Sequence, residues 1–571
     1  MRKKIKEERR WAAVLVIFYL LSLLPIVISG MYDYAQADDY AYGQLTHPAW
    51  VQSGSVWAVL RAAAATVCQY YKDWQGTYSS IFLMSLQPGI WGDELYHVVP
   101  FLFAAGFSAA FFLLFYAAFV RWLGARPAYA VSAAALVAFY AMQNVPDYVQ
   151  AFYWYNGAVH YMGSMIALLF LAAAFLWGMK NEAREESTRK VMIRDFSGRQ
   201  TETGRAKRRS AVFAGVGEQA LLVLLALYVG GGNYVTVLQG LLLAATAVAL
   251  PLLFHNSLWK RVLLPSAAMA VGAAVNMTAP GNAVRQALLG EPYNVMWTIG
   301  HSFESALLYI GRWTTPEFLL LLLVLLPLLY RMMRQGLGIR QAGGRPPFRF
   351  SLPGLVWLYS YCLLAAMFAP TLYTGGSPHV RRALNLVFLT FVLLTLVCLC
   401  YTFGWIIRRQ SRLARLLERA FAPEARPVTF AVRTQETGRA ADTGAATADA
   451  AHGGVSAAGR FSRLYLPVTG AALLLCVAAT ALTIPTQYTS EAAIVYMVNG
   501  EAGAWAAQIR ENLDRLEDPQ TADVVLTPVT ATPRIYCADE IEDWYQGTRR
   551  YYGKNSVTVP EAGVVEMDKV R

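Results

Sequence analysis

The sequence predicts an all-α polytopic membrane protein of about eleven transmembrane helices, followed by a small extracytoplasmic α/β appendage. Three observations predict it. Of the 571 residues, 56% are apolar and only 15% charged, which is more apolar surface than a water-soluble domain can bury. The apolar residues fall in nearly charge-free runs of about one bilayer thickness, such as 11–30, 101–120 and 384–407. The Lys and Arg residues gather in alternate loops between these runs, as the positive-inside rule requires.

The first run follows a basic N-terminal decapeptide, but no small-residue cleavage site precedes Met31, so it reads as an uncleaved anchor. Candidate spans then follow at 12–30, 98–120, 128–143, 161–179, 212–230, 234–254, 262–279, 316–332, 353–371, 383–407 and 464–483. They define a transmembrane domain at 1–483. Within it lie a first outer loop at 31–97, a basic cytoplasmic loop at 180–210 and a cytoplasmic linker at 408–463. The N-terminus is expected in the cytoplasm and the C-terminus outside.

The loops differ in composition. Residues 433–459 are rich in Ala, Gly, Thr and Asp and cannot bury a core, so part of the linker reads as disordered. Residues 180–209 are basic and suit anionic headgroups. The first outer loop is aromatic-rich, and 55–71 has the apolar spacing of a helix lying along the membrane surface. Residues 484–571 form the extracytoplasmic segment, with a strand expected at 523–527 and a helix at 540–552.

A formal net charge of +12 does not indicate nucleic acid, because the cations lie between spans rather than on one face. The six Cys form no CxxC pair and no zinc-like cluster, although Cys68 and Cys537 both fall on the oxidising side. Walker, HExxH and GxSxG motifs are missing from the sequence, which removes the usual support for ATP hydrolysis, zinc proteolysis and serine esterase chemistry.

Mapped on this topology, the chemistry-bearing residues collect at the outer rim. They are Asp38, Asp39 and Tyr40; Trp74 and Tyr78; Trp154, Asn156 and His160; Asn282 and Arg285; His301 and Glu304; and His379, Arg381 and Arg382. A carboxylate at 38 or 39 has the position of a general base, while an N-cap or interfacial turn is the other use of such a pair. Arg381 and Arg382 suit a lipid-linked phosphate, with snorkelling as the alternative. The Ala279-Pro-Gly-Asn282 turn with Arg285 reads equally as a second polar cluster or a structural turn. Trp74 and Trp154 fit either substrate or an interfacial aromatic belt.

These elements together resemble the bacterial multi-pass membrane family DUF 6056, itself similar in appearance to the GT-C membrane glycosyltransferases. The resemblance runs nearly end to end. It rests on Ala37-Asp-Asp-Tyr40, Trp74-x-Gly76, Tyr153-Trp-Tyr-Asn-Gly157 with Tyr161, Ala279-Pro-Gly-Asn282 with Arg285, Arg382, and the Trp544–Gly553 segment. Thr77 follows Gly76 where such sequences are expected to carry Arg. The resemblance implies a bacterial inner-membrane enzyme that takes a sugar from a polyprenyl-phosphate donor. The acceptor would be an envelope glycan or lipid on the extracytoplasmic face, and an acid of the first outer loop would be the base. Asp38 and Asp39 match that position, and Arg285, Arg381 and Arg382 would face the donor phosphate. No cofactor is required by the sequence, and a divalent ion on the two Asp would lack a clear third ligand. The other reading is a transport or polymerase-like, non-catalytic component of envelope polysaccharide assembly.

Overall fold

The computed structural model describes residues 2–177, 202–254, 258–341, 350–421, 457–536 and 542–559. It is a helical membrane protein. Among the described residues, seven helices are long and apolar enough to cross a bilayer: Ile5–Tyr32, Asp93–Leu123, Tyr155–Trp177, Tyr234–Leu253, Pro316–Leu337, Pro353–Gly375 and Arg381–Arg409. An eighth crossing arises if Trp259–Met277 and Pro280–Leu289, bent by 57° at their junction, count as one. The bend has a local cause: Ala279 precedes a proline and is extended (φ −63°, ψ 131°), and Pro280 has no N–H to continue the ladder.

The remaining expected spans fall on helices Pro127–Gln143, Glu202–Gly230 and Ala457–Thr483. Pro127–Gln143 has 17 residues and, at about 1.5 Å per residue, is shorter than the hydrocarbon core. The apolar parts of the other two among the described residues are Val216–Gly230 and Pro467–Thr483, so the described residues support seven or eight crossings by length and composition. Large apolar side chains such as Leu21, Leu24, Leu264, Val271 and Leu307 remain exposed on the outer helix faces. That is the pattern of helices solvated by lipid.

The segment 31–97, expected as the first outer loop, is mostly helical. Asp38–Gly43, Thr46–Ser53 and Val56–Asp73 follow one another, and Ser55 Oγ caps the last of these by accepting from Ala58 N at 3.4 Å. Cys68 is exposed, whereas Cys537 and the linker centred on 433–459 lie outside the described residues.

Residues after 484 do not form a free appendage. Helix Thr489–Val498 packs on Ile5–Tyr32 and Pro127–Gln143, where Ser490 Oγ donates to Ser22 O at 2.5 Å and Ser490 N donates to Gln143 Oε1 at 2.9 Å. Helix Glu501–Glu517 is tied to the outer loop by Arg510, which meets Glu94 at 3.1 Å and Tyr34 Oη at 2.7 Å. Two short strands, Asp523–Val525 and Ser556–Thr558, pair in parallel with Val524 opposite Val557. Between them, Glu542–Tyr551 lies against Asp38–Gly43: Gly547 and Gly43 allow the approach, since a Cβ on either would fall under 3 Å from Ala41 or Tyr551. Tyr551 stacks on His47 with centroids 4.0 Å apart, and its hydroxyl accepts from Gln87 Nε2 at 3.2 Å. The main hydrophobic core therefore runs from the helix bundle into Trp505, Tyr536 and Tyr551.

Candidate functional site

The bundle and the C-terminal segment enclose a cavity of about 1510 Å³ between them. Asp38, Tyr40, Asp147, Trp154, Arg381 and Arg382 line the bundle side. Trp505, Arg534 and Tyr536 belong to the opposing C-terminal side.

The two adjacent carboxylates at 38 and 39 have different surroundings. Asp39 is fully buried, and its oxygens accept from Gln36 N at 3.1 Å, Tyr96 Oη at 2.6 Å and Asn156 N at 3.2 Å. It therefore joins the first outer loop to the Tyr153-Trp-Tyr-Asn156 motif. Burial pushes its carboxyl up to about 7, against the lowering effect of those three donors. The turn it secures is strained, because Ala37 sits at φ +52°, a conformation that costs a non-glycine residue about 1–3 kcal/mol. Buried Asp33 adds a neighbouring acid, and its carboxyl is also raised, by burial first and then by the charge of Asp39.

Asp38 lines the cavity and is only half-buried. Desolvation raises its carboxyl above the ordinary value, while the guanidinium groups of Arg382 and Arg285 pull it back part of the way. Arg382 also lies over the Tyr161 ring at 5.7 Å. Arg381 donates to Pro146 O at 3.1 Å. Both begin helix Arg381–Arg409, so their charge opposes the helix dipole and an anion between them would be stabilised by guanidinium and helix end together. Arg285 acts on Asp38 through its charge but does not line the cavity; it donates to Gln75 Oε1 and lies over Trp74 at 5.6 Å.

Several expected site residues have other work. Asn282 is a clasp: its Oδ1 accepts from Gly76 N at 2.9 Å and Tyr234 Oη at 2.7 Å, and its Nδ2 donates to Asn276 O at 2.8 Å and Met277 O at 3.2 Å. Gly76 and Gly281 make the same docking sterically possible, since a Cβ on Gly76 would be 1.9 Å from Asn276 O and one on Gly281 2.5 Å from Trp74 N. Trp74-x-Gly76 and Ala279-Pro-Gly-Asn282 are thus two halves of one turn–turn interface. Tyr78 packs against Gly231 and donates to Leu227 O at 2.8 Å. His301 stacks on Trp297 with centroids 4.0 Å apart and has Glu304 at 4.0 Å, while exposed His379 meets Tyr309 Oη at 2.7 Å. None of these three lines the cavity. Tyr40 touches the cavity but packs its ring edge-on against Tyr551 at 5.1 Å.

Asn156 and His160 lie behind the cavity wall. Both amide atoms of Asn156 and Nδ1 of His160 are buried without a partner among the described residues, and His160 is within electrostatic reach of Arg285 and Arg382. The sequence reading passed over three charged cavity residues, Asp147, Arg312 and Arg534. The available signal for Asp147 was an acid after Pro146 in the same outer loop as Tyr153-Trp-Tyr-Asn156. Among the described residues, no group of three or more His, Cys, Asp or Glu side chains is placed to hold a metal ion. No family model, curated protein or solved structure matches the chain.

Proposed function

We propose that this chain is a GT-C-like glycosyltransferase of the bacterial inner membrane that crosses the bilayer eleven times. Its N-terminus would be cytoplasmic and its site extracytoplasmic. It would move a sugar from a polyprenyl-phosphate donor to an envelope glycan or lipid. The observation that carries this reading is the division between Asp39, held by three hydrogen bonds, and Asp38, which lines the cavity with Arg381 and Arg382 and lies within the fields of Arg382 and Arg285. In the reaction, the acceptor hydroxyl oxygen bonds to the anomeric carbon and the carbon–oxygen bond to phosphate breaks. The bonding pair leaves on the phosphate oxygen, and the hydroxyl proton passes to the Asp38 carboxylate. Arg381 and Arg382 neutralise the leaving phosphate, Arg285 adds positive charge from outside the cavity lining, and the raised carboxyl of Asp38 makes it a stronger base than a solvated aspartate.

The test is transfer by the purified protein in proteoliposomes supplied with polyprenyl-phosphate sugars and envelope extract. Asp38→Asn is expected to lower turnover by about 10²- to 10⁴-fold with folding intact, because Asn is nearly isosteric but cannot take the proton. Wild-type turnover in Asp38→Asn would remove Asp38 as the base. No transfer by the wild type from any polyprenyl-phosphate sugar would remove the reading itself.

A further inference from the structure

The cavity wall beside Arg381 and Arg382 carries a second carboxylate, Asp147, which the proposed base does not account for. Asp147 is 8% exposed and lines the cavity. Its backbone is fixed by Asn385: Asp147 N donates to Asn385 Oδ1 at 2.8 Å, and Asn385 Nδ2 donates to Asp147 O at 2.7 Å. Arg381, bonded to Pro146 O, holds the same turn against the start of helix Arg381–Arg409. The Asp147 carboxylate accepts the backbone N–H groups of Gln150, at 3.2 Å, and Val149.

A carboxylate only accepts hydrogen bonds, so a ligand meeting Asp147 must bring donors. A cation is disfavoured there, because Arg381 and Arg382 already supply positive charge to this wall. Neutral hydroxyl groups meet the requirement. Trp154 lines the same cavity, its indole packed where Gly157 lacks a side chain: a Cβ there would lie 2.8 Å from Trp154 Cε3 and 3.1 Å from Gln150 Oε1. An acceptor for hydroxyl groups beside an indole is the chemistry that recognises a sugar ring, with an oxygen-bearing edge and an apolar C–H face.

We propose that Asp147, together with Trp154, holds the sugar ring of the donor by its hydroxyl groups. The inference rests on the lipid-phosphate reading, because the donor sugar is bonded directly to the phosphate placed at Arg381 and Arg382. A purely architectural role for Asp147 would be to cap the backbone turn at Val149 and Gln150. Asparagine caps such turns as well as aspartate does, so Asp147→Asn keeps the cap and removes only the charged hydroxyl acceptor.

The experiment is titration calorimetry of the full chain in nanodiscs, wild type and Asp147→Asn, with three probes. These are farnesyl phosphate, farnesyl-phosphate glycosides of glucose, galactose, mannose and N-acetylglucosamine, and the matching methyl glycosides. At least one farnesyl-phosphate glycoside is expected to bind the wild type about tenfold tighter than farnesyl phosphate. Asp147→Asn should erase that increment, measured against farnesyl phosphate binding by the same variant, with farnesyl phosphate binding retained or strengthened by loss of the carboxylate charge and thermal stability unchanged. An increment retained in Asp147→Asn, or none in the wild type, overturns the proposal while leaving the phosphate reading standing. If neither lipid binds, the donor reading fails, and the methyl glycosides decide Asp147 alone. Binding weakened about tenfold in Asp147→Asn supports its hydroxyl-binding role, and no binding to the wild type, or equal binding to both proteins, overturns it.

Discussion

Replacing Asn282 with alanine separates a clasp from a ligand-binding amide. Its side chain makes four hydrogen bonds, two accepted and two donated, to Gly76, Tyr234, Asn276 and Met277. Each is worth about 0.5–1.5 kcal/mol net, and the buried Gly76 N–H is left without a partner, so Asn282→Ala should cost about 3–4 kcal/mol. Asn282→Asp keeps both accepted bonds but sets a carboxylate against the carbonyls of Asn276 and Met277, and should cost nearly as much. Gly76→Ala should be worse than either, because its Cβ would fall 1.9 Å from Asn276 O and the turn could not dock. The assay is unfolding by added SDS in bicelles, followed by circular dichroism. Transfer per folded molecule should stay within about threefold of the wild type for Asn282→Ala, since Asn282 does not line the cavity. A variant with unchanged stability and lost transfer would refute the clasp and restore Asn282 to the substrate.

Asp39 predicts a pH dependence. Its folded carboxyl sits at about 7 against an ordinary 3.8, so the fold favours the protonated form. The stability this contributes is complete below about 4 and is lost as pH rises through about 7, by at most about 4 kcal/mol. Unfolding at pH 5 and pH 8 should show a drop in the wild type that is smaller in Asp39→Asn; equal drops would contradict it. Tyr551→Ala removes a fully buried ring stacked on His47 and should cost about 3–5 kcal/mol, exposing residues 542–559 to limited proteolysis. Unchanged protease resistance would mean that the C-terminal helix is not held by this ring. Gly157→Ala forces its Cβ against Trp154 and should weaken glycoside binding more than farnesyl phosphate binding; the reverse order would argue against a sugar at that wall. Alkaline phosphatase fused after Arg571 should be active, and an inactive fusion would remove one crossing from the proposed topology.

Hydropathy alone determined that this chain is a helical membrane protein, because the cost of exposing backbone polar groups to lipid leaves a charge-free run of 20 residues almost no other conformation. Each expected span, from 12–30 to 464–483, falls on an apolar helix of the structure. The outer helix at 56–73, the strand at 523–525 and the helix at 542–551 were legible for the same reason, since periodicity is a local property.

The site was legible only as a list of polar residues on one side. Asp38 and Asp39 are chemically identical neighbours, and their difference comes from Tyr96, Asn156 and Arg382, which are distant in sequence. Asn282 reads from sequence equally as a member of a polar cluster or of a structural turn, and the choice is made by its bond to Gly76, a contact across 206 positions. Asp147 carries only a weak local mark, an acid after Pro146: it matters because Asn385 and Arg381 fix its turn against the cavity, and because the C-terminal segment lines the other side. A sequence records which groups are available, while hydrogen-bond satisfaction and enclosure depend on partners that only the packed chain brings together.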